Sequence, residues 1–229
     1  MSWEAIIQSI CNYLRETNIL EEGDIIGIGT GRTIKSILSC LDLKSLQRKV
    51  VVSSSFETML YLKTLGIRSV HPLSIDELDV YIDGADYATK RLELIKGGGA
   101  ALTTEKLLAS ASRKVIIAID QGKLIDNLLS KPIPIEVIPE ALSIVKKKLS
   151  LLGLRASERE PVSGKRLPVI SDIGGVILDL DASAWSKSLI ELEDTLSKIP
   201  GIVETGLFLE LTDILVVGYP QGVQIYKKQ

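Results

Sequence analysis

Short runs of aliphatic residues alternate with helix-forming stretches through the first 130 residues. Each run ends in glycine or polar residues, as in IIGIGTG, KVVVSSS, LDVYIDGAD and KVIIAID. Fully apolar runs are typical of strands that helices cover on both faces, whereas half-exposed strands alternate apolar and polar residues. Strands that alternate with helices connect as βαβ units with parallel strands. This part of the sequence therefore predicts an α/β fold with a doubly wound, parallel sheet.

The pattern changes after residue 130. The period-two run PIPIEVI is followed by a helix, the polar strand LRASERE, the two apolar runs of LPVISDIGGVILDLD, a second helix and the strand IVETGLFL. The order β, α, β, β, α, β is typical of a ferredoxin-like arrangement. We therefore expect a small α/β domain at 131–205. The last hairpin, DILVVGYPQGVQIYK, would return to a first domain that comprises 1–130 and 206–229.

Charge and composition exclude several classes of protein. The net charge is −2, from 27 basic and 29 acidic side chains, so no basic field favours nucleic acid or an anionic membrane surface. No window approaches 18 uninterrupted apolar residues, and the N-terminus lacks the pattern of a signal peptide. Cys11 and Cys40 lie far apart in sequence and in no metal-ligand spacing. We therefore expect a reduced, cytoplasmic protein without a disulfide or structural zinc.

A glycine loop, GIGTGRT, follows the first predicted strand and precedes a helix. Unpaired backbone N–H groups at such a junction bind anions. The loop is not a nucleotide-binding P-loop, and Arg32 stands where a dinucleotide-binding loop has its third glycine. We therefore expect a single phosphate here, with further donors from Thr30, Arg32 and Thr33. The alternative is a tight turn whose glycines serve packing alone.

Charged residues cluster after the strand LDVYI. Asp83 and Asp86 follow it directly, at the edge of the sheet where open α/β folds bind ligands. Lys96 precedes Gly97–Gly99, a run suited to a backbone that passes close to a ligand and displays its N–H groups. The alternative for the two aspartates is a solvated surface turn.

Glu105 stands on the apolar face of its own predicted helix. Its neighbours three and four positions away are all apolar: Ala101, Leu102, Leu108 and Ala109. Burial raises the pKa of a carboxyl group and a nearby cation such as Lys96 lowers it, and this balance suits a general base. The alternative is a structural ion pair at this position.

These residues together provide a phosphate site, a base, a lysine that stabilises negative charge and two aspartates for hydroxyl groups. The sequence contains no metal or nucleotide motif, so we expect no cofactor and no metal. The set suits proton abstraction next to a carbonyl group in a phosphorylated sugar, through an enediolate. The predicted reaction is aldose–ketose isomerisation.

The chain closely resembles the type A family of ribose-5-phosphate isomerases. The motifs GIGTGRT, VSSS, YIDGAD, LIKGGGAALTTEK, PIEVIP and IPGIVETGLF run in family order along nearly the whole chain. The resemblance implies interconversion of ribose 5-phosphate and ribulose 5-phosphate in the non-oxidative pentose phosphate pathway, without a cofactor. It also implies a homodimer or homotetramer whose subunits have a Rossmann-like domain and a small α/β domain.

The family pattern implies a role for each residue of the site. Glu105 would be the base, and Asp83, Asp86 and Lys96 would handle the sugar hydroxyls and ring opening, with Lys96 also stabilising the enediolate. The substrate-binding residues would be Thr30, Gly31, Arg32, Thr33, Gly84, Ala85, Gly97, Gly98, Gly99 and Lys123.

Three positions depart from the family pattern. Arg32 replaces a common serine, and the N-terminal stretch AIIQSI lacks a lysine that often reaches the phosphate, so we expect Arg32 to compensate for that lysine. Tyr87 follows Asp86 where an acidic residue is usual, which changes the hydrogen bonding at that edge.

Two kinds of alternative function remain. One is another enzyme on the same scaffold, either an acyl coenzyme A transferase with Glu105 as nucleophile or an aminosugar phosphate isomerase-deaminase. The compact spacing of YIDGAD and KGGG disfavours both. The other is a sugar-phosphate sensor of the kind attached to transcription regulators. About 24 residues precede the first predicted strand, too few for a helix-turn-helix domain, and the net charge is slightly negative.

Overall fold

The computed structural model describes residues 2–18, 21–41, 43–161 and 168–228. In these ranges the α-helices are α1 (Trp3–Glu16), α2 (Arg32–Leu38), α3 (Leu43–Leu46), α4 (Phe56–Thr64), α5 (Leu102–Ser110), α6 (Leu142–Leu151) and α7 (Leu189–Ser197). Side-chain caps begin several of them, and α7 starts with a capping box formed by Ser188 and Glu191. No helix in the described ranges is long and apolar enough to cross a membrane.

The strands form three sheets. In chain order they are β1 (Ile25–Ile28), β2 (Val50–Ser53), β3 (Ser69–Val70), β4 (Leu78–Asp83), β5 (Tyr87–Ala88), β6 (Leu94–Ile95), β7 (Ser112–Asp120), β8 (Ile133–Val137), β9 (Arg155–Glu158), β10 (Val176–Asp181), β11 (Ile202–Thr205), β12 (Leu207–Phe208), β13 (Ile214–Tyr219) and β14 (Gly222–Lys227).

The largest sheet has the order β14-β13-β7-β4-β1-β2-β3, and all neighbours from β13 to β3 are parallel. Alternate residues of its strands enter two different cores. Val80 and Ile82 pack on the side of α1 and α2, whereas Tyr81 packs on the side of α5. This arrangement confirms the predicted doubly wound parallel sheet. The final hairpin returns to it, with β14 antiparallel to β13.

The second sheet has four antiparallel strands in the order β11-β8-β10-β9. Helices α6 and α7 pack against it, through residues such as Val145 and Leu192. The chain order β8, α6, β9, β10, α7, β11 confirms the predicted ferredoxin-like arrangement. Leu167, at the start of the predicted hairpin stretch, lies outside the described residues. We propose 131–205 as the small domain, and 1–130 with 206–229 as the large one.

Helix α5 lies between the two sheets, because it contacts β4 and β7 on one side and β8 and β11 on the other. A third, small sheet with the order β12-β6-β5 also forms part of the region where the two larger sheets approach each other. The backbone N–H of Lys96 donates to the carbonyl of Gly206 at 2.9 Å. A Cβ atom at position 206 would lie 2.3 Å from the Lys96 carbonyl oxygen, so the close approach requires glycine.

The structure corrects one expectation about the cysteines. A disulfide joins Cys11 of α1 to Cys40, just after α2, with Cα atoms 6.3 Å apart. Helices α1 and α2 pack side by side, and Arg15 also donates to the carbonyl of Cys40. The expectation of a chain without a disulfide was therefore wrong. It relied on a separation of 29 residues in sequence, which sets no spatial distance once two helices pack in one layer.

Candidate active site

The glycine loop and the aspartate pair lie side by side. They follow β1 and β4, which are adjacent parallel strands with Ile28 opposite Ile82. Parallel neighbours end at the same edge of a sheet, and that edge is where open α/β sheets bind ligands. The strand order therefore brings together two predicted parts of the site that are more than fifty residues apart in sequence.

Asp83 is fully buried at this edge of the sheet, where it binds several neighbouring groups. Its Oδ1 accepts hydrogen bonds from the backbone N–H groups of Thr30 (3.0 Å) and Gly84 (2.7 Å). Its Oδ2 accepts from the hydroxyl of Tyr81 at 2.5 Å and lies 2.8 Å from Lys96 Nζ. A Cβ atom on residue 29 would lie 1.9 Å from the Asp83 carboxyl group, so the glycine loop closes over this aspartate only because Gly29 has no side chain.

Lys96 is the cation of the cluster, and its side chain is 3% exposed. Its Nζ donates to the carbonyl of Gly84 at 2.7 Å and pairs with Asp83 at 2.8 Å and Glu105 at 3.1 Å. Burial alone would lower the pKa of Lys96, but the two carboxylates outweigh it and raise the pKa above its ordinary value. The two carboxylates therefore favour the charged form of Lys96.

Glu105 projects from α5 into the same cluster and is 3% exposed, as its apolar neighbours on the helix predicted. Its Oε2 lies 3.1 Å from Lys96 Nζ, but without hydrogen-bond geometry, and has no hydrogen-bond partner among the described residues. Burial raises the pKa of Glu105 to about 8; Lys96 opposes the rise and Asp83 adds to it. One buried cation faces two buried carboxylates, so Lys96 is shared between Asp83 and Glu105 and cannot neutralise both.

The predicted site residues surround one pocket, whose empty volume is about 480 Å³. Its walls are Thr30, Gly31, Arg32, Thr33, Gly84, Ala85, Asp86, Lys96, Gly97, Gly98, Gly99, Glu105 and Lys123. Of the predicted site residues, only Asp83 does not line the pocket. It lies behind the lining residues, where it binds Lys96 and the glycine loop. In the described ranges, no group of three His, Cys, Asp or Glu side chains could hold a metal ion.

The first glycine loop forms one end of the pocket. Gly31 has a φ of +98°, which favours glycine, and α2 begins at Arg32. The hydroxyl of Thr30 hydrogen-bonds Thr58 at 2.7 Å and contacts Ser55, so it is already engaged within the protein. The guanidinium group of Arg32 lies 4.2 Å from the ring centroid of Trp3. The N-terminal helix thus reaches this loop through a tryptophan rather than a lysine.

The triple-glycine loop and Lys123 form the opposite side. The N–H of Gly98 donates to Asp86 Oδ2 at 2.7 Å, and Lys123 Nζ donates to the carbonyl of Ala85 at 2.6 Å. Burial lowers the pKa of Lys123, although the carboxylates of Asp86 and Asp120 oppose this. Both contacts hold the segment that follows β4 against the rest of the pocket.

Several supporting residues were missed by sequence reasoning. Tyr81 stands two positions before Asp83, and the period of a strand places both side chains on one face, a signal that was available. Ser55 caps α4 and Thr58 follows it three positions later, but nothing in their sequence indicated a contact with Thr30. Arg159, which contacts the triple-glycine loop from the second sheet, had no sequence signal.

A family model for ribose 5-phosphate isomerase A (phosphoriboisomerase A) matches residues 50–222. The matched span includes Asp83, Asp86, Lys96 and Glu105. The chain belongs to this family. It is therefore an aldose–ketose isomerase, and the resemblance inferred from the sequence motifs is confirmed.

Solved structures of the family extend the similarity over the whole chain. The ribose 5-phosphate isomerase A of Methanocaldococcus jannaschii is 32% identical, with a TM-score of 0.88 over 99% of this chain and 100% of its own. The enzyme of Neisseria gonorrhoeae is 30% identical, with a TM-score of 0.87 over 100% of this chain and 99% of its own. A D-ribose-5-phosphate isomerase in complex with phospho-erythronic acid is 34% identical, with a TM-score of 0.88 over 100% of both chains.

Proposed function

We propose that this chain interconverts D-ribose 5-phosphate and D-ribulose 5-phosphate through an enediolate, with Glu105 as the general base. One observation carries the proposal: the buried Glu105 carboxyl group lies beside Lys96 in a pocket that ends in a phosphate-type glycine loop. Burial raises the pKa of Glu105 to about 8, near neutral pH, and the ionised form is a stronger base than an ordinary carboxylate.

The two ends of the pocket suit the two ends of such a substrate. The phosphate would bind at the loop Thr30–Thr33, with the Arg32 guanidinium group, and the sugar chain would extend towards Lys96 and Glu105. A similar structure binds phospho-erythronic acid, which carries a phosphate and a carboxylate. Here those two groups would face the glycine loop and Lys96.

The chemistry follows from this placement. The Glu105 carboxylate removes the proton from C2, and the electron pair forms the enediolate between C1 and C2 while negative charge develops on O1. The same proton then returns to C1, and the hydroxyl proton of O2 passes to O1, so that C2 becomes the carbonyl carbon. Lys96 stabilises the negative oxygen, Asp86 binds the hydroxyl groups and assists ring opening, and Asp83 acts through Lys96, which it holds. A general base typically increases the reaction rate roughly 10²- to 10⁴-fold, and a group that stabilises the developing negative charge increases it roughly 10²- to 10³-fold.

We also propose a homodimer or homotetramer that works in the cytoplasm, in the non-oxidative pentose phosphate pathway. The location and the pathway rest on the family resemblance. The exposed apolar residues of one face support an assembly, because Phe56, Pro72 and Ile173 line one shallow depression and the adjacent Leu73 is 90% exposed. Contact with another subunit would remove these apolar groups from water.

The proposed function is tested by measuring ribulose 5-phosphate formation from ribose 5-phosphate in the presence of a chelator. We expect turnover that the chelator does not change. Tight binding of the sugar phosphate without turnover would instead indicate a sensor, and turnover that stops with the chelator would contradict a mechanism carried by side chains alone.

We expect kcat/KM to rise with pH through an apparent pKa of about 8. A protonated carboxyl group cannot accept the C2 proton, so activity is low below this pKa and reaches a plateau above it. Initial rates at low substrate concentration between pH 6.5 and 9.5 measure the profile. Because a sugar phosphate loses its second proton near pH 6, that ionisation lies below this range. A flat profile across it would contradict the assignment.

Arg32→Ser is expected to raise KM for ribose 5-phosphate roughly tenfold, with little change in kcat. A phosphate contact is equally strong in the ground state and the transition state, so its loss removes uniform binding. Arg113→Ser is the matched control, since Arg113 is an exposed arginine that pairs with Glu77 at the opposite edge of the sheet. A fall in kcat alone would contradict the phosphate role.

A further inference from the structure

Arg159 reaches from the second sheet to the triple-glycine loop. It follows β9, and its Nη1 donates to the carbonyl oxygens of Gly97 (2.5 Å) and Gly98 (3.2 Å). The other side of the guanidinium group pairs with Asp179 on the neighbouring strand β10, with Nε donating to Oδ2 at 3.0 Å. Both side chains are mostly buried, 17% and 28% exposed. The guanidinium group of Arg159 is therefore held in one orientation while it donates to two successive carbonyl groups.

These two contacts constrain the direction in which the N–H groups of the loop point. In a planar trans peptide the carbonyl and the following N–H point in opposite directions. The carbonyl of Gly97 faces Arg159, and the N–H of Gly98 accordingly donates to Asp86 on the other side, at 2.7 Å. The carbonyl of Gly98 also faces Arg159, so the same geometry turns the N–H of Gly99 away from Arg159.

Gly99 lies next to the first glycine loop. A Cβ atom on Gly99 would be 3.1 Å from Cγ2 of Thr30, and both residues line the pocket. An N–H group that enters the pocket here is directed at the end where the phosphate is proposed to bind. Three consecutive glycines have access to many backbone conformations. The N–H of Ala100 closes the loop by donating to the carbonyl of Gly97 at 3.0 Å, and Arg159 holds the carbonyl of Gly98.

We propose that Arg159 is a positioning residue that orients the Gly98–Gly99 peptide so that its N–H group binds the substrate phosphate. The second sheet then contributes to substrate affinity although Arg159 itself does not line the pocket. The identity of the substrate in this inference rests on the proposed isomerase function, whereas the binding of phosphate at this position can be measured without turnover.

The test compares Arg159→Met, Arg159→Lys and the control Lys146→Met. Lys146 pairs with Glu158, the residue before Arg159, at 2.8 Å, so its removal disturbs the same sheet through a different ion pair. For Arg159→Met we expect a roughly tenfold rise in KM for ribose 5-phosphate and in Kd for inorganic phosphate, with kcat changed less than about threefold. Lysine keeps the charge without the fork, so Arg159→Lys should give an intermediate rise, and Lys146→Met should leave both constants unchanged.

A lower melting temperature with unchanged KM and phosphate Kd would show that Arg159 has only a structural role and overturn the inference. A fall in kcat with KM unchanged would overturn the assignment to the phosphate. If Arg159→Met does not fold, the proposal is tested with Arg159→Lys. An unchanged KM for ribose 5-phosphate and an unchanged Kd for phosphate in that variant would refute it. If the phosphate affinity of the protein depends on Arg159 but the wild type does not isomerise the sugar, the proposed function alone is refuted.

Discussion

Glu105→Gln is expected to lower kcat roughly 10³- to 10⁴-fold, because the amide has the shape of the carboxyl group but cannot accept the C2 proton. KM should change little, since the phosphate loop and Asp86 remain. Ribulose 5-phosphate formation under saturating ribose 5-phosphate measures the loss. Solvent deuterium incorporation at C2 measures proton abstraction separately and should fall in parallel.

The matched control is Glu22→Gln. Glu22 is a partly exposed carboxylate that pairs with Lys114 at the opposite edge of the sheet, so its amide variant should retain full activity. A Glu105→Gln variant with more than about a tenth of wild-type kcat would assign the base to another residue, since a general base contributes at least about 10²-fold. Asp86 would then be the next carboxylate to examine, because it also lines the pocket.

Lys96→Met is expected to lower kcat roughly 10²- to 10³-fold and to move the pH profile to higher pH. The first effect is the loss of the cation that stabilises the enediolate. The second follows because burial and the carboxylates of Asp83 and Asp86 raise the pKa of Glu105 whereas Lys96 lowers it, so removal of the lysine should raise this pKa further. Initial rates across pH 6.5 to 9.5 measure both effects.

The free energy of unfolding of Lys96→Met should also be lower than that of the wild type, since removal of one partner of a buried ion pair costs about 3–5 kcal/mol. Lys114→Met, which breaks the exposed pair with Glu22, is the control for the loss of a lysine at the sheet edge away from the pocket. A Lys96→Met variant with a lower kcat but an unshifted pH profile would show that the lysine does not set the ionisation of Glu105.

Much of the fold could be predicted from the sequence, because its signals are local. The fully apolar runs of β1, β2, β4 and β7 indicated strands covered on both faces, and the structure shows alternate residues of these strands in two cores. The burial of Glu105 was predictable for the same reason, since its neighbours one helical turn away lie on the same face. The spacing of the glycine loops and aspartates also identified the family.

Side-chain contacts between distant elements were not predictable, because they depend on how those elements pack. Cys11 and Cys40 form a disulfide through the packing of α1 against α2, which no local pattern indicates. Arg159 contacts a loop 62 positions away, and this contact depends on how the second sheet packs beside that loop.

The sequence by itself determined the order of strands and helices, the family and the residues available for chemistry, because periodicity and motif spacing act over short distances. Only the tertiary structure decided that Lys96 stands between Asp83 and Glu105, since the three belong to different elements and meet where α5 packs between two sheets. This proximity makes Glu105 a candidate base. Burial raises the pKa of Glu105, and Lys96, which is shared with Asp83, reverses that rise only in part.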